Sequence, residues 1–217
     1  MGDVDAYKLR IKSQVSVAES YATGRRGDRH AREMRLVERG LTWLDPSIRT
    51  VLDAPCGAGR ATVLLARHGY EVTGCDLGDG AVEVAGRAVA EAGVQARVEK
   101  ADIEHLPYGD GSFDAILCFR MFHHFPTPDI RSRVVAELCR VASRYVLISY
   151  LEPLSWTSLR RRLLKARYQH GRHAVQYATS VRELEGYFRE HGFSLTACLP
   201  EMRFFHSLWL AVFERRS

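Results

Sequence analysis

The sequence predicts an α/β protein with a doubly wound, mostly parallel seven-stranded sheet, an antiparallel C-terminal strand pair and a helical cap insertion. Three observations support this prediction. Short β-branched apolar runs alternate with helical periods between residues 28 and 150. A glycine-rich loop joins the first apolar run to a helix, and the last two runs are joined by a link too short for a crossover helix. Such alternation is typical of an open parallel sheet covered by helices on both faces.

The elements before residue 151 follow one another in the order that this fold needs. The first helix is predicted over residues 28–44, where Val37 and Leu41 recur at helical spacing before a proline stop. The later predicted elements are strands at 50–54, 70–78, 96–102, 113–121 and 144–150, and helices at 61–69, 80–94 and 129–142. The last two of these strands are continuously apolar, as expected of parallel strands buried on both faces.

The pattern changes after the fifth strand. Residues 151–178 have no strand period and are interpreted as an inserted cap. A helix follows over 179–192, with Ser180 and Glu183 at capping-box spacing. Strands at 193–198 and 207–214, with Pro200 in the link, are predicted to pair antiparallel at the sheet edge.

Length and composition predict one globular domain over residues 1–217, with residues 1–27 as an N-terminal lead-in segment. Apolar residues make up 46% and charged residues 26% of the chain, and the formal net charge is +5. The five cysteines are odd in number and widely spaced, which indicates reduced thiols and a cytoplasmic protein. No apolar run approaches the length of a membrane span.

The stretch VLDAPCGAGR, residues 51–60, resembles a phosphate-binding loop that lacks glycines. Gly57 and Gly59 supply a G-x-G pair, but Pro55 and Thr62 stand where a dinucleotide loop has its outer glycines. The chain also lacks the Gly-Lys-Ser/Thr sequence of a P-loop. The loop therefore favours a ligand other than a dinucleotide or a nucleoside triphosphate.

Three acids at the ends of successive strands indicate what that ligand is. Asp53 would oppose a pyrophosphate but suits an ammonium group. Asp76 in GCDLG can accept the two hydroxyls of a ribose, and Asp102 in KADIEHLP can accept the amine of an adenine, with Ile103 packed on its face. An ammonium, a ribose and an adenine together describe S-adenosylmethionine. The alternative is that Asp53 and Asp76 only cap the helices that follow them.

From about Val51 to Tyr150, the chain resembles the class I S-adenosylmethionine-dependent methyltransferases. The order VLDAPCGAGR, GCDLG, ADIEHLPYGDGSFDAILCFRMFHHF and ELCRV is similar to the subgroup that includes ubiquinone and menaquinone biosynthesis methyltransferases. The signature residues of that subgroup are Leu106, Pro107, Asp110, Ser112, Phe113 and Asp114. The likeness concerns the site as well as the fold.

The resemblance implies a cofactor site for S-adenosylmethionine. The methionine part would lie on the glycine loop, with Asp53 toward its amino group, and Arg120 would form the floor beneath it. Upstream, ESYATGRRGDRH resembles a segment that closes over the cofactor with an aromatic residue and an arginine, Tyr21 and Arg26. The full predicted cofactor-binding set is Tyr21, Arg26, Asp53, Ala54, Cys56, Gly57, Gly59, Asp76, Leu77, Asp102, Ile103 and Arg120.

Adjacent histidines follow the fourth strand and are the candidate catalytic residues. His123 and His124 stand just past a buried strand and are expected to point to opposite sides, so that at most one of them faces the substrate pocket. Lining the substrate pocket ranks first, acting as a general base for a hydroxyl nucleophile second, and binding a metal last. The other histidines offer no regular ligand spacing, so no metal is predicted.

The predicted cap is where this family places substrate selectivity. Its apolar residues Leu159, Leu163 and Leu164 share one helical face, surrounded by basic residues. Segment 156–173 could therefore face an anionic substrate, a membrane surface that holds a lipid acceptor, or RNA. An ordinary lid helix with a solvated basic face is the alternative, and it carries about equal weight.

The leading functional hypothesis is transfer of a methyl group from S-adenosylmethionine to a small-molecule or lipid-intermediate acceptor, on O, N or C, by in-line displacement. The alternatives are a tRNA-modifying methyltransferase and a non-catalytic S-adenosylmethionine-binding protein. A dehydrogenase is disfavoured because the third glycine is missing. The sequence predicts neither the acceptor nor the oligomeric state.

Overall fold

The computed structural model describes residues 27–156, 176–202 and 207–216. The predicted cofactor residues Tyr21 and Arg26 lie outside the described residues, as does most of the predicted cap. The predicted cap boundary at residue 151 falls inside a strand, which ends at Leu151. In the described part of the chain, no helix is long and apolar enough to cross a membrane.

Helices and strands alternate as predicted. The helices are α1 Gly27–Leu41, α2 Arg60–Arg67, α3 Asp79–Glu91, α4 Pro128–Val141 and α5 Val181–Arg189, with a short 3₁₀ helix at Phe122–His124. The strands are β1 Thr50–Asp53, β2 Glu71–Asp76, β3 Arg97–Lys100, β4 Phe113–Cys118, β5 Ala142–Leu151, β6 Phe193–Pro200 and β7 Leu208–Arg215. They form one seven-stranded sheet in the order β3-β2-β1-β4-β5-β7-β6.

The sheet is mixed, as the sequence predicts. Strands β1 to β5 pair in parallel, whereas β7 is antiparallel to both β5 and β6. The C-terminal strands form an antiparallel pair at one edge of the sheet, as predicted, with β7 inserted between β5 and β6. Strand β6 is the outer strand of this pair, and Pro200 is its last residue rather than part of the link. Proline is tolerated there because an edge strand has donors that need no partner.

Apolar cores on the two faces hold the sheet between helices. Tyr150 and Phe213 belong to the core on the α4 and α5 face, and Leu147 and Leu210 to the core on the α1 face. Alternate residues of β5 and β7 thus point into different cores, as the pleat of a strand requires. Both strands are apolar on both faces because both faces are covered.

Helix α1 packs closely on the sheet, and a glycine makes this possible. A Cβ atom at Gly40 would lie 2.5 Å from Leu210 Cδ2 and 3.0 Å from Leu147 Cδ2. The buried positions of α1 recur at helical spacing, as in Glu33, Leu36 and Val37. The helix ends at Leu41, before the predicted limit of residue 44.

The end of β4 also differs from the prediction. The strand ends at Cys118, three residues early, because Arg120 takes a left-handed conformation with φ of 60°. A non-glycine residue in this region interrupts a strand. The Arg120 N–H instead donates to Ser149 Oγ at 2.6 Å.

The fifth helix begins where the capping-box spacing predicts. The N–H of Glu183 donates to Ser180 Oγ at 3.2 Å, so Ser180 is the N-cap residue. The Glu183 carboxylate, however, accepts from Arg131 Nη1 at 2.8 Å and from the Tyr187 hydroxyl at 3.0 Å. Ser180 therefore caps the helix, while Glu183 ties it to α4.

Candidate functional site

Four predicted site residues lie at the carboxyl edge of the sheet. Asp53 and Asp76 are the last residues of β1 and β2, and Asp102 and Arg120 stand two residues beyond β3 and β4. Because the order β3-β2-β1-β4 makes these strands neighbours, the three acids and the arginine form a row. Ligands of open α/β sheets bind at this edge.

The glycine loop crosses the middle of the row and is held by backbone hydrogen bonds. The Ala54 N–H donates to Leu117 O at 2.9 Å, and the Cys56 N–H donates to Cys75 O at 2.7 Å. Gly57 has a φ of 56°, and a Cβ atom there would meet nothing within 4 Å, so a ligand has room to approach its backbone.

The second glycine of the loop has a packing role. Gly59 has a φ of 76°, and a Cβ atom there would lie 2.9 Å from Ala85 Cα. This glycine therefore lets α2 start close against the backbone of α3. The two glycines of the G-x-G pair thus serve different purposes, one open toward a ligand and one buried between helices.

Asp53 is a buried carboxyl group with one oxygen unpaired. Its Oδ2 accepts a hydrogen bond from the Thr62 hydroxyl at 2.7 Å, whereas its buried Oδ1 has no partner. Burial, with a smaller contribution from the nearby Asp76 charge, raises the pKa of Asp53 to about 7. Asp53 does not cap α2, so the capping alternative does not explain it.

Asp76 connects the glycine loop to the start of α3. Its Oδ2 accepts from the Gly57 N–H and its Oδ1 from the Gly78 N–H, both at 3.0 Å. The N-cap position of α3 is Gly78, which receives no side-chain cap. Asp76 is therefore a loop-organising acid at the position predicted for the ribose rather than a helix cap.

The predicted adenine end lies beyond β3. Asp102 Oδ1 accepts from the Glu104 N–H at 3.0 Å in a local turn, and Asp102 is partly exposed. Ile103 beside it is buried, and Leu77 after β2 is partly exposed. Asp102, Ile103 and Leu77 stay the predicted residues of the adenine end.

Cys56 lies on the loop but is not an activated thiol. Burial, reinforced by the charges of Asp53 and Asp76, raises the pKa of the Cys56 thiol far above its usual value. All five cysteines are free and none is exposed. The predicted reduced thiols are therefore present.

Glu33 is a site residue that the sequence analysis missed. It is fully buried on α1 and pairs with Arg120 after β4, with Arg60 at the start of α2 and with Arg29 on its own helix. The available signal was a charged residue on the apolar stripe of an amphipathic helix. Arg120 thus has a carboxylate partner that the sequence did not indicate.

The two histidines do not point to opposite sides, and that expectation is wrong. They lie in the 3₁₀ helix Phe122–His124, where successive side chains do not alternate as in a strand. Their ring centroids are 4.2 Å apart at an interplanar angle of 43°. His123 is buried, and its carbonyl accepts from the Tyr177 N–H at 2.8 Å, while His124 is partly exposed. In the described part of the chain, no cluster of three or more ligating side chains could hold a metal ion.

A surface depression of about 450 Å³ lies at the opposite edge of the sheet, near the start of β4 and β5. Arg140 lines it and pairs with Asp110 and Glu137. None of the predicted site residues contributes to it. The row of acids, and not this depression, is the candidate functional site.

Comparison with known proteins agrees with this geometry. A family model described as "Methyltransferase domain" matches residues 51–144, from β1 to the start of β5. Over 105 residues, the chain is 36% identical to the ubiquinone biosynthesis O-methyltransferase of Xanthomonas axonopodis pv. citri (strain 306). Over 117 residues, it is 36% identical to methyltransferase GfsG of Streptomyces halstedii.

Residues 51–144 are therefore identified as a methyltransferase domain. The predicted resemblance is thereby confirmed over this part of the chain. The first match covers 48% of this chain and 44% of the relative, and the second 52% and 42%, so the chain spans less than half the length of either relative.

The fold of this methyltransferase domain recurs in solved structures. The magnesium protoporphyrin IX methyltransferase of Synechocystis PCC 6803, in a crystal structure with bound SAH (S-adenosylhomocysteine), superimposes with a TM-score of 0.72 at 19% identity. The superposition covers 86% of this chain and 84% of that one. The predicted fold class is confirmed.

The described residues of the methyltransferase domain fit a ligand with a zwitterionic end. The unpaired oxygen of buried Asp53 offers an acceptor to an ammonium group. The arginines around Glu33 offer donors to a carboxylate, and the space beside Gly57 leaves the loop backbone accessible. Amino-acid ends of this kind are what an S-adenosylmethionine site has to accommodate.

Proposed function

We propose that this protein binds S-adenosylmethionine across the ends of β1 to β4 and transfers its methyl group to a small-molecule or lipid-intermediate acceptor. The observation that carries the proposal is the row of Asp53, Asp76 and Asp102 at three neighbouring strand ends beside an open glycine loop. In this order, the three acids suit the ammonium, ribose and adenine of one extended ligand. Tyr21 and Arg26 remain proposed as residues that close over it.

When bound, the cofactor supplies a methyl group on a positively charged sulfur. The protein has to align the acceptor with that methyl group and exclude water. His124 is the better placed of the two histidines to contact an acceptor, because it is partly exposed whereas His123 is buried. We assign His124 to the acceptor side of the site and His123 to support beneath it.

An oxygen nucleophile is the favoured acceptor atom. The relative from Xanthomonas is named as an O-methyltransferase of ubiquinone biosynthesis. An aromatic hydroxyl must lose its proton on transfer, and an imidazole beside it can accept that proton. An oxygen-bearing small molecule or lipid intermediate is therefore the proposed substrate class, and the cytoplasm or its membrane surface the proposed location.

Calorimetry tests the cofactor proposal directly. We expect S-adenosylmethionine and S-adenosylhomocysteine to bind the purified protein and NAD not to bind. Asp76→Ala should weaken S-adenosylhomocysteine roughly tenfold to a hundredfold, since charge-assisted hydrogen bonds are lost. Asp79→Ala is the matched control, because Asp79 is exposed three residues further on. If neither sulfur ligand binds, the proposed function is wrong.

Methyl transfer from radiolabelled cofactor identifies the acceptor class. The acceptors compared are a catechol, the same catechol with a prenyl tail in detergent, and unfractionated tRNA. Label on either catechol supports the proposal. Label on tRNA alone would favour the RNA-modifying alternative, and binding without any transfer would favour a non-catalytic protein.

A further inference from the structure

Glu33 lies at the centre of a cluster that joins three separate parts of the chain. Its Oε1 accepts from Arg29 Nε at 2.9 Å and from Arg120 Nη1, and its Oε2 accepts from both terminal nitrogens of Arg60 at 3.3 Å. Glu33 is fully buried, whereas the three arginine side chains are 33%, 24% and 31% exposed in that order. The arginines thus have surface left for another partner.

The charges of the cluster do not balance. Burial raises the pKa of Glu33, but the opposing effects of Arg120, Arg60 and Arg29 outweigh it and hold that pKa below its usual value. Glu33 is therefore ionised and supplies one negative charge against three guanidinium groups. Nearby His30 has a lowered pKa, chiefly through burial and the Arg60 charge, and adds no negative charge. The surplus is positive and attracts an anion.

The surplus positive charge lies beside the glycine loop, on the side away from Asp76. Arg60 directly follows Gly59 at the start of α2, and Arg120 follows β4, which neighbours β1 on the side opposite β2. Asp76 borders the glycine loop on one side, and the arginines border it on the other. A ligand with its ribose at Asp76 would therefore extend its far end toward the arginines.

We propose that Glu33 is a positioning residue that holds Arg60 and Arg120 so that their free N–H donors bind the carboxylate of the cofactor's methionyl end. This inference rests on the proposed function. The fixed planar donors of arginine suit a carboxylate when the guanidinium is held in place. The left-handed backbone of Arg120 turns its side chain back toward Glu33, which supplies that restraint.

Two ligands separate this role from a general structural one. S-adenosylhomocysteine carries the carboxylate, whereas 5′-methylthioadenosine has the same adenosine and sulfur without the amino-acid end. We expect Glu33→Gln to weaken S-adenosylhomocysteine about tenfold or more in calorimetry, since misplaced guanidinium donors lose charge-assisted hydrogen bonds. The affinity for 5′-methylthioadenosine should change less than about twofold.

The direction in which Glu33→Gln changes the affinity for S-adenosylhomocysteine separates positioning from simple charge attraction. Glu33→Gln removes a negative charge, so simple attraction between the cluster and a carboxylate would increase S-adenosylhomocysteine affinity. A fall therefore indicates positioning, and an unchanged or higher affinity would overturn the inference. An equal loss for both ligands would also overturn it, because a loosened fold weakens both.

Matched variants complete the test. Glu38→Gln changes an exposed carboxylate on the same helix and should leave both affinities unchanged. If Glu33→Gln does not fold, Glu33→Asp replaces it, because it keeps the charge but shortens the reach to the arginines; the same selective loss is expected, and an unchanged affinity would overturn the inference. Failure of the proposed function is seen separately, as absence of S-adenosylhomocysteine binding to the unaltered protein.

Discussion

Asp53 carries a carboxyl group that is buried from water. Its folded-state pKa of about 7 lies above the ordinary value of 3.8. The folded protein therefore holds a proton more tightly than the unfolded chain, and the free energy of unfolding falls as pH rises between these two values. At higher pH, the buried carboxylate is ionised and its Oδ1 has no hydrogen-bond donor.

Replacing this carboxyl should remove that pH dependence. The free energy of unfolding of Asp53→Asn minus that of the unaltered protein, both without ligand, should increase from pH 5 to pH 8 by on the order of a few kcal/mol. Urea unfolding at several pH values measures the difference.

Asp114→Asn is the control, because the contribution of Asp114 to the free energy of unfolding changes with pH in the opposite direction. Burial raises the pKa of Asp114, but hydrogen bonds from the Thr50 and Arg49 amides outweigh this and lower it. The stability that Asp114 provides is therefore present above its unfolded pKa and is lost as the solution becomes acid. A parallel pH profile for the two variants would contradict the account of Asp53.

His124 should affect turnover more than binding. His124→Gln keeps a polar side chain but removes the imidazole base, so kcat with an oxygen acceptor should fall roughly 10²-fold or more. The affinity for S-adenosylhomocysteine should stay within about twofold, because the residue is assigned to the acceptor side. His68→Gln, just after the end of α2, is the control, and unchanged turnover in His124→Gln would exclude the base.

At the residue scale, the sequence predicts the acids well and Glu33 poorly. Asp53 and Asp76 each end an apolar run, so a local pattern places both at the same sheet edge. Two of the three arginine partners of Glu33, Arg60 and Arg120, are 27 and 87 residues away in sequence, and no local pattern reports such contacts. Only the position of a charge on the apolar face of a helix indicated that a partner was needed.

The loop between β1 and α2 is the element whose geometry is most constrained. Gly59→Ala would place a methyl group against the backbone of Ala85 at positive φ, so we expect a loss of roughly 2–4 kcal/mol in unfolding free energy. Gly57→Ala meets no atoms and should cost only about 1 kcal/mol. Thermal unfolding of the two variants checks the difference, and equal losses would contradict the packing role of Gly59.

Helix and strand types follow from periodicity, but their ends depend on contacts. The predicted strand through residue 121 fails because Arg120 turns back toward Glu33 and Ser149, which lie far from it in sequence. The 3₁₀ turn that brings His123 and His124 together follows from the same interruption. Local propensity cannot predict either feature.

The molecule as a whole should be stabilised by its ligand. A ligand that binds only the folded state at a hundred times its Kd contributes about 2.7 kcal/mol, which for a chain of this size is roughly 5–10 °C in Tm. We expect this shift with S-adenosylhomocysteine in differential scanning calorimetry and none with NAD. A shift with NAD alone would contradict the assignment of the site.

The spatial order of β5, β7 and β6 is a feature that strand patterns alone do not predict. An apolar, alternating pair of strands predicts antiparallel pairing in either spatial order. Insertion of β7 between β5 and β6 is decided by its apolar residues on both faces, such as Leu210 and Phe213, which need cover on both sides. Burial of both faces could have indicated an interior strand.

The close contact at Gly40 links variation far from the site to the chemistry. Two helical turns separate Gly40 from Glu33 on α1, and a side chain at Gly40 would have to displace the Leu210 and Leu147 methyl groups or shift the helix away from them. A genetic screen for lost methylation should therefore recover substitutions at position 40 beside those in the glycine loop. Such alleles would appear to be binding-site lesions, although Gly40 packs against the sheet and not against the ligand.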